Sequence, residues 1–271
     1  MEDLLGITDS LARARALYEG YMTDEAGRLS GKGLQLEALT TWHFLDQELA
    51  PGSRVMDLGC GAGVYALPLA QQGHEVLAVD LVPHHIRQLK KKAGPGMRLI
   101  ARCQDAQSAL DEAADASFDA VLCLGPMYHL RTEAERIRLL AACQRVLKPR
   151  GRVFIAFINN DWVITTMTLR HGNGRYMTEG DYDKQTFRAE DFPFVFHTLS
   201  QADREVGQAG LHILRRVNSD GLSELLEEAF EAFTEEEKAQ WFRFHLYLCQ
   251  QPEHLGACNH WLFVCGKGVR P

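Results

Sequence analysis

No apolar run in this chain approaches the roughly 18–20 residues that a helix needs to cross a bilayer, so no membrane-spanning segment is expected. Paired cysteines are also missing. The seven cysteines, Cys60, Cys103, Cys123, Cys143, Cys249, Cys258 and Cys265, are odd in number, scattered, and never spaced Cys-x-x-Cys. That spacing excludes thiol ribbons and dithiol redox motifs. Several sit inside apolar runs, where a free thiol behaves as a small hydrophobe. Positive charge is not in excess either: 29 Lys and Arg stand against 36 Asp and Glu, a formal net charge of −7. A general nucleic-acid binder relies on cations displacing counterions, so nucleic acid is disfavoured as a partner. The opening Met1-Glu2-Asp3 is acidic and has neither the basic start nor the apolar stretch of a signal peptide. There is no internal repeat and no low-complexity segment. These absences lead us to expect a reduced, soluble, cytoplasmic protein.

What is present is an ordinary globular composition, 46% hydrophobic and 24% charged over 271 residues. One large domain, or a core with an attached cap, suits that length. Leu4, Leu5, Leu11, Ala14 and Leu17, then Leu34 through Leu49, recur at helical spacing, so residues 1–50 read as a helical lid that ends before Pro51-Gly52. From there strands and helices alternate. Strands are expected over Val55–Leu58, Glu75–Val79, Met97–Arg102, Phe118–Leu124 and Arg152–Ile158, with helices over Val64–Gln72, Pro83–Ala93 and Thr132–Leu147. This rhythm means βαβ units and a parallel sheet. It stops after Asn159. A helix over Ser200–Gln208, a strand over Leu211–Val217, helices over Leu222–Phe233 and Glu235–Cys249, and a strand over Trp261–Cys265 complete the chain. The expected organisation is a cofactor-binding α/β core over 51–159, a cap insertion over 160–198, and a C-terminal part of the core over 199–271 with its own helical insertion over 220–255.

Gly59-Cys60-Gly61-Ala62-Gly63 follows a strand and opens a helix, a place where a ligand can approach the backbone closely. The spacing is not G-x-G-x-x-G, and the glycines alone suit an empty tight turn equally well. Two acids add information. Asp57, at the end of the strand, repels a pyrophosphate and favours a cationic group. Asp80 closes the second strand, where a carboxylate can accept from both ribose hydroxyls. Together they describe a ligand with a sugar, a positive charge and no phosphate, which fits S-adenosylmethionine.

At these residues the chain resembles a family. Val55-Met-Asp-Leu-Gly-Cys-Gly-Ala-Gly63 is similar to motif I of the class I S-adenosylmethionine-dependent methyltransferases, and Glu75 to Asp80 is similar to motif II. Gln104-Asp105-Ala106 resembles the acidic dipeptide after the third strand, and Arg145 to Val153 the run into the fifth. Leu124-Gly-Pro-Met-Tyr-His-Leu130 resembles a bacterial subgroup with Leu-Gly-Pro-Leu-Tyr-His-Leu there. Val82 departs from the family's frequent Ser or Thr, which touches a helix cap rather than the cofactor. The resemblance implies a doubly wound, seven-stranded, mostly parallel Rossmann-like sheet with a helical cap, six strands parallel and the last antiparallel. It implies an enzyme that transfers a methyl group to a small-molecule acceptor. Asp57, Gly59, Cys60, Gly61 and Gly63 would hold the methionine portion, with Tyr65 near it. Asp80 would take the ribose, and Leu81 would pack on the adenine. Asp105 and Ala106 would meet its amino edge, and Leu124 and Gly125 would pass beneath.

Tyr128 and His129 follow the fourth strand, beside the expected position of the methyl group. His129 is the candidate general base, against the alternative that it orders the turn. His197, just before a helix, is a candidate to face the acceptor from the cap. Tyr21, with Tyr18 and Arg28, is a candidate lid residue. His84-His85 adjoin the cofactor side but are poor metal geometry, and no metal is expected. Trp162, Tyr182, Phe192, Phe194 and Phe196 make the insertion aromatic. The basic cluster Arg87, Lys90, Lys91 and Lys92 reads as a solvated helix face. Glu224, Glu227, Glu228, Glu231 and Glu235 to Glu237 give the late helices an acidic surface. An RNA methyltransferase of the same fold, a nicotinamide-dependent oxidoreductase and a non-catalytic cofactor-binding protein remain as alternatives, and the acceptor atom is open.

Overall fold

The structure, a computed structural model, describes residues 1–22, 35–170, 172–226, 229–230 and 232–267. Its strands are β1 (Arg54–Leu58), β2 (Glu75–Asp80), β3 (Leu99–Cys103), β4 (Phe118–Cys123), β5 (Leu147–Asn159), β6 (Phe196–His197), β7 (Leu211–Asn218) and β8 (His260–Lys267). Seven lie side by side in the order β3-β2-β1-β4-β5-β8-β7, and β6 pairs with the end of β5. The pairings from β3 to β5 are parallel, whereas β8 runs antiparallel to both β5 and β7. This is the expected sheet of six parallel strands and one antiparallel, with a two-residue strand added. Two residues are too few for a period to show in sequence.

The helices are α1 (Glu2–Leu5), α2 (Ser10–Gly20), α3 (Gln35–Glu48), α4 (Ala66–Gln71), α5 (Pro83–Lys92), α6 (Ala106–Glu112), α7 (Glu133–Val146), α8 (Asn160–Leu169), α9 (Tyr176–Glu179), α10 (Leu199–Gln208) and α11 (Glu235–Leu248). Successive strand residues point to opposite faces, and this splits the interior into two cores. Val121 and Cys123 of β4 and Val153, Ile155 and Phe157 of β5 pack with α6, α7 and α10. Their neighbours Ala120, Leu122 and Phe154 pack with Phe44 and Leu45 of α3 and with α4 and α5. Helix α6 had no expected counterpart; Asp105 caps it, accepting from the Ser108 N–H at 2.9 Å. Thr132, Thr198 and Thr234 each open a helix with a reciprocal capping box, a device worth about 1 kcal/mol.

The N-terminal helices lie across the carboxyl ends of the strands. Arg15 of α2 donates to the Leu81 carbonyl after β2 at 3.3 Å, and Ser10 accepts from the Arg131 N–H after β4 at 3.0 Å. Thr40 of α3 meets the buried His245 of α11 at 3.0 Å. In the segment 160–198, Ile164, Tyr182, Ala189 and Phe196 pack on Tyr128, Ala156 and Ile158. The expected helix over Leu222–Phe233 opens as turns over 221–226. It includes Glu227, Glu228 and Glu231, which lie outside the described residues, as do Arg28 and His171. No helix among the described residues is long and apolar enough to cross a membrane.

Candidate functional site

The glycine loop leaves β1 with Gly59 at φ +73° and Gly61 at φ +53°, conformations that L side chains adopt at a cost. Gly59 and Cys60 donate their N–H groups to the Val79 carbonyl at 2.9 and 3.0 Å, which binds the loop to β2. Asp80 completes the tie. Its carboxylate accepts from Gly61 N at 2.8 Å and from Val82 N at 2.8 Å, and lies 3.1 Å from His85 Nδ1. Gly63 has a different task. A Cβ there meets Leu67 and Leu89 at 3.0 Å, so it lets α4 and α5 approach, and its residue does not line the cavity described next.

Between the loop and the N-terminal helices lies a cavity of about 390 Å³. Its lining includes Asp57, Gly59, Cys60, Gly61 and Tyr65, then Asp80, Leu81, Asp105 and Ala106. Leu124, Gly125, Tyr128 and His129 line it as well. Asp57 is 2% exposed, and its Oδ2 has no hydrogen-bond partner. Burial pushes its carboxyl from 3.8 to about 7, the negative charge of Asp80 adds to the rise, and the Ala66 backbone opposes it. Burial also raises the Tyr65 and Cys60 hydroxyl and thiol, keeping both protonated.

The Tyr18 hydroxyl lies 2.9 Å from His129 Nε2. Tyr128 turns its hydroxyl back to the Leu124 carbonyl at 2.9 Å, closing the 3-10 turn Pro126–Tyr128. The Tyr128 ring still lies beside His129, the centroids 5.0 Å apart, but it is the Tyr18 hydroxyl that reaches the imidazole. Phe194 from the insertion supports this part of the lining from behind, its ring edge-on to Tyr128 at 5.7 Å and to His129 at 5.4 Å.

Two expected acceptor-site residues are placed elsewhere. His197 is 1% exposed, packs on Phe157 at 4.9 Å and lies 3.4 Å from Glu205 Oε2. The two residues of β6 face opposite sides, so Phe196 supports the Tyr128 wall while His197 enters the core under α10. Tyr21 is 46% exposed and donates to Asp3 at 2.5 Å. No described residue of 160–198 or 220–255 lines the cavity. Those segments pack on its walls from outside, and the covering surface comes from Leu11, Ala14 and Tyr18 of α2 and Glu37 and Thr41 of α3.

Sequence reasoning placed His84 and His85 on the cofactor side, and His85 does line the cavity, its Nδ1 3.1 Å from Asp80, which ends β2 five residues earlier. It missed Glu37, Thr41, Ser219 and Trp261 as cavity residues. These come from elements far apart in the chain, and nothing local marks them.

Residues 55–151 match a family described as a methyltransferase domain. The ubiquinone biosynthesis O-methyltransferase of Xylella fastidiosa is 38% identical over 109 residues, which cover 40% of this chain and 43% of that one. The protein of the same name from Idiomarina loihiensis is 29% identical over 139 residues, covering 50% of this chain and 56% of its own. The match thus spans about half the length of these relatives. Among solved structures, magnesium protoporphyrin IX methyltransferase of Synechocystis with bound SAH superposes with a TM-score of 0.59 at 17% identity, covering 96% of this chain and 100% of that one. The chain shares the fold of that methyltransferase structure. Residues 55–151 match the methyltransferase domain family, and the remaining described residues complete and cover that part of the fold.

Proposed function

We propose that this protein transfers a methyl group from S-adenosylmethionine to a hydroxyl of a small molecule. The observation that carries the reading is the lining of one cavity by two chemically distinct sets of side chains. One set is a pair of buried carboxylates, Asp57 and Asp80, and the other is the phenol–imidazole pair of Tyr18 and His129. Asp57 offers an unpartnered, buried acceptor suited to an ammonium group. Asp80 holds the loop and faces the place of a ribose. Two carboxylates at this loop disfavour a pyrophosphate, which argues against a nicotinamide dinucleotide. The hydroxyl acceptor is supported by the names of the Xylella and Idiomarina relatives, and a small acceptor by the net charge of −7.

The bound sulfonium supplies a methyl carbon whose leaving group is a neutral thioether. The chain itself has to align the acceptor oxygen behind that carbon and exclude water. Helices α2 and α3 do the excluding. The proton of the acceptor hydroxyl would pass to His129 Nε2, relayed by the Tyr18 hydroxyl 2.9 Å away. Tyr128 keeps the turn that presents His129.

Labelled-methyl transfer to a panel of phenols and catechols tests the reading, with total RNA as the comparison. His129→Ala should lower transfer about 10²–10⁴-fold, as for a lost general base, and Tyr18→Phe should lower it as well. Affinity for S-adenosylhomocysteine should stay within about threefold, since neither side chain is assigned to the nucleoside. Label entering RNA and lost on nuclease treatment refutes the small-molecule acceptor. A stable, fully active His129→Ala protein refutes the base.

A further inference from the structure

We infer that Glu37, Asp220 and His260 form a binding site for a divalent transition-metal cation at the edge of the cavity. The three side chains come from α3, from the turn after β7 and from the first residue of β8. The antiparallel pairing of Asn218 with Trp261 brings the last two together. Asp220 is fixed in place: Oδ1 accepts from Asn259 N at 3.0 Å and from His260 N at 3.2 Å. Its Oδ2 lies 2.8 Å from His260 Nδ1. Glu37 Oε2 lies 3.6 Å from the same nitrogen, too far for a hydrogen bond. That oxygen is buried and has no donor. One ring nitrogen, carrying at most one hydrogen, therefore faces the buried carboxylate of Asp220 and the half-buried one of Glu37.

The three ligand atoms all lie within 4.8 Å of one another. An ion bound at about 2.0–2.2 Å from each needs them roughly 3–3.5 Å apart, a small adjustment. Two carboxylate oxygens and one imidazole nitrogen suit zinc or manganese better than magnesium, which prefers an all-oxygen shell. Charge points the same way. Glu224 adds a third carboxylate whose Oε2 is buried without a partner, while Arg170 pairs with its Oε1 at 3.2 Å. A cation in place of the Nδ1 proton would neutralise the cluster. Glu37 and the neighbouring Ser219 line the cavity, so the ion would border it.

The site does not rest on the cofactor reading, and its test omits the cofactor. The chelator-stripped full chain is titrated calorimetrically with Zn²⁺, Mn²⁺ and Mg²⁺, each alone. One Zn²⁺ or Mn²⁺ should bind per chain, release a proton and tighten with rising pH. His260→Gln should abolish that binding and its thermal stabilisation. Should His260→Gln fail to fold, Glu37→Gln, which breaks no hydrogen bond among the described residues, should lower affinity at least tenfold. Absence of binding, preference for Mg²⁺, or undiminished binding in the Glu37→Gln protein overturns the site.

Discussion

Asp57→Asn separates the electrostatic cost of the site from its binding role. Burial and the nearby Asp80 raise the Asp57 carboxyl from 3.8 to about 7. The sign follows from proton binding. The folded chain keeps a proton on Asp57 that the unfolded chain releases near 3.8. Stability from this group is therefore complete below that value and is lost as the pH rises toward 7. At about 1.4 kcal/mol per tenfold, the ionised carboxylate costs the folded state roughly 4 kcal/mol above pH 7 and about 1.5 kcal/mol at pH 5. Asparagine does not titrate. The stability of Asp57→Asn relative to wild type should rise by about 2.5 kcal/mol between pH 5 and pH 8. A constant offset of about 1–3 kcal/mol is expected where the amide NH₂ replaces the unpartnered Oδ2. Urea unfolding at both pH values, with both proteins, removes that offset because only the difference between the two pH values counts. Cofactor titration adds an independent check. Wild-type affinity for S-adenosylmethionine should climb from pH 6 to 8 as the carboxylate forms, and the variant's affinity should be weaker and flat. A difference in stability that does not change between pH 5 and pH 8 refutes the argument.

Asp80→Asn should weaken both S-adenosylmethionine and S-adenosylhomocysteine, because it removes a charged acceptor worth about 1.5–3 kcal/mol per hydrogen bond; calorimetry finding equal affinities would remove Asp80 from the site. Glu205 is 1% exposed, and burial alone would raise its carboxyl, but two bonds from Arg136 at 2.9 and 2.6 Å and the nearby His197 hold it at about 2. Its stabilisation is present above the ordinary value of 4.5 and is lost as the pH falls toward 2. Glu205→Gln should therefore cost about 3–5 kcal/mol at pH 7, the loss typical of a broken buried pair, and far less near pH 2. Thermal melts against pH would show otherwise if Glu205 were incidental.

The glycine loop and its acids were legible as cavity residues because their signals are local. Gly59 and Gly61 need positive φ, Asp57 is next to last in β1 and Asp80 ends β2, and all lie within one βαβ unit whose hydrophobic alternation declares it. Asp105 lines the cavity too, and its capping of α6 is a local motif that the sequence reading did not anticipate. The covering wall was not legible. Tyr18 and His129 are 111 residues apart and meet only because α2 crosses the carboxyl ends of β2 and β4. Glu37, Asp220 and His260 converge through the packing of α3 on an antiparallel strand pair. His197 looked like a pocket residue because a histidine before a helix carries no mark of direction. Its pairing with β5 decided that it faces Glu205, since neighbouring residues of a strand must point to opposite sides. Local backbone preference and strand period are written in short stretches of sequence. Which distant side chains share a cavity is set by how helices dock on the finished sheet, and that depends on the whole fold.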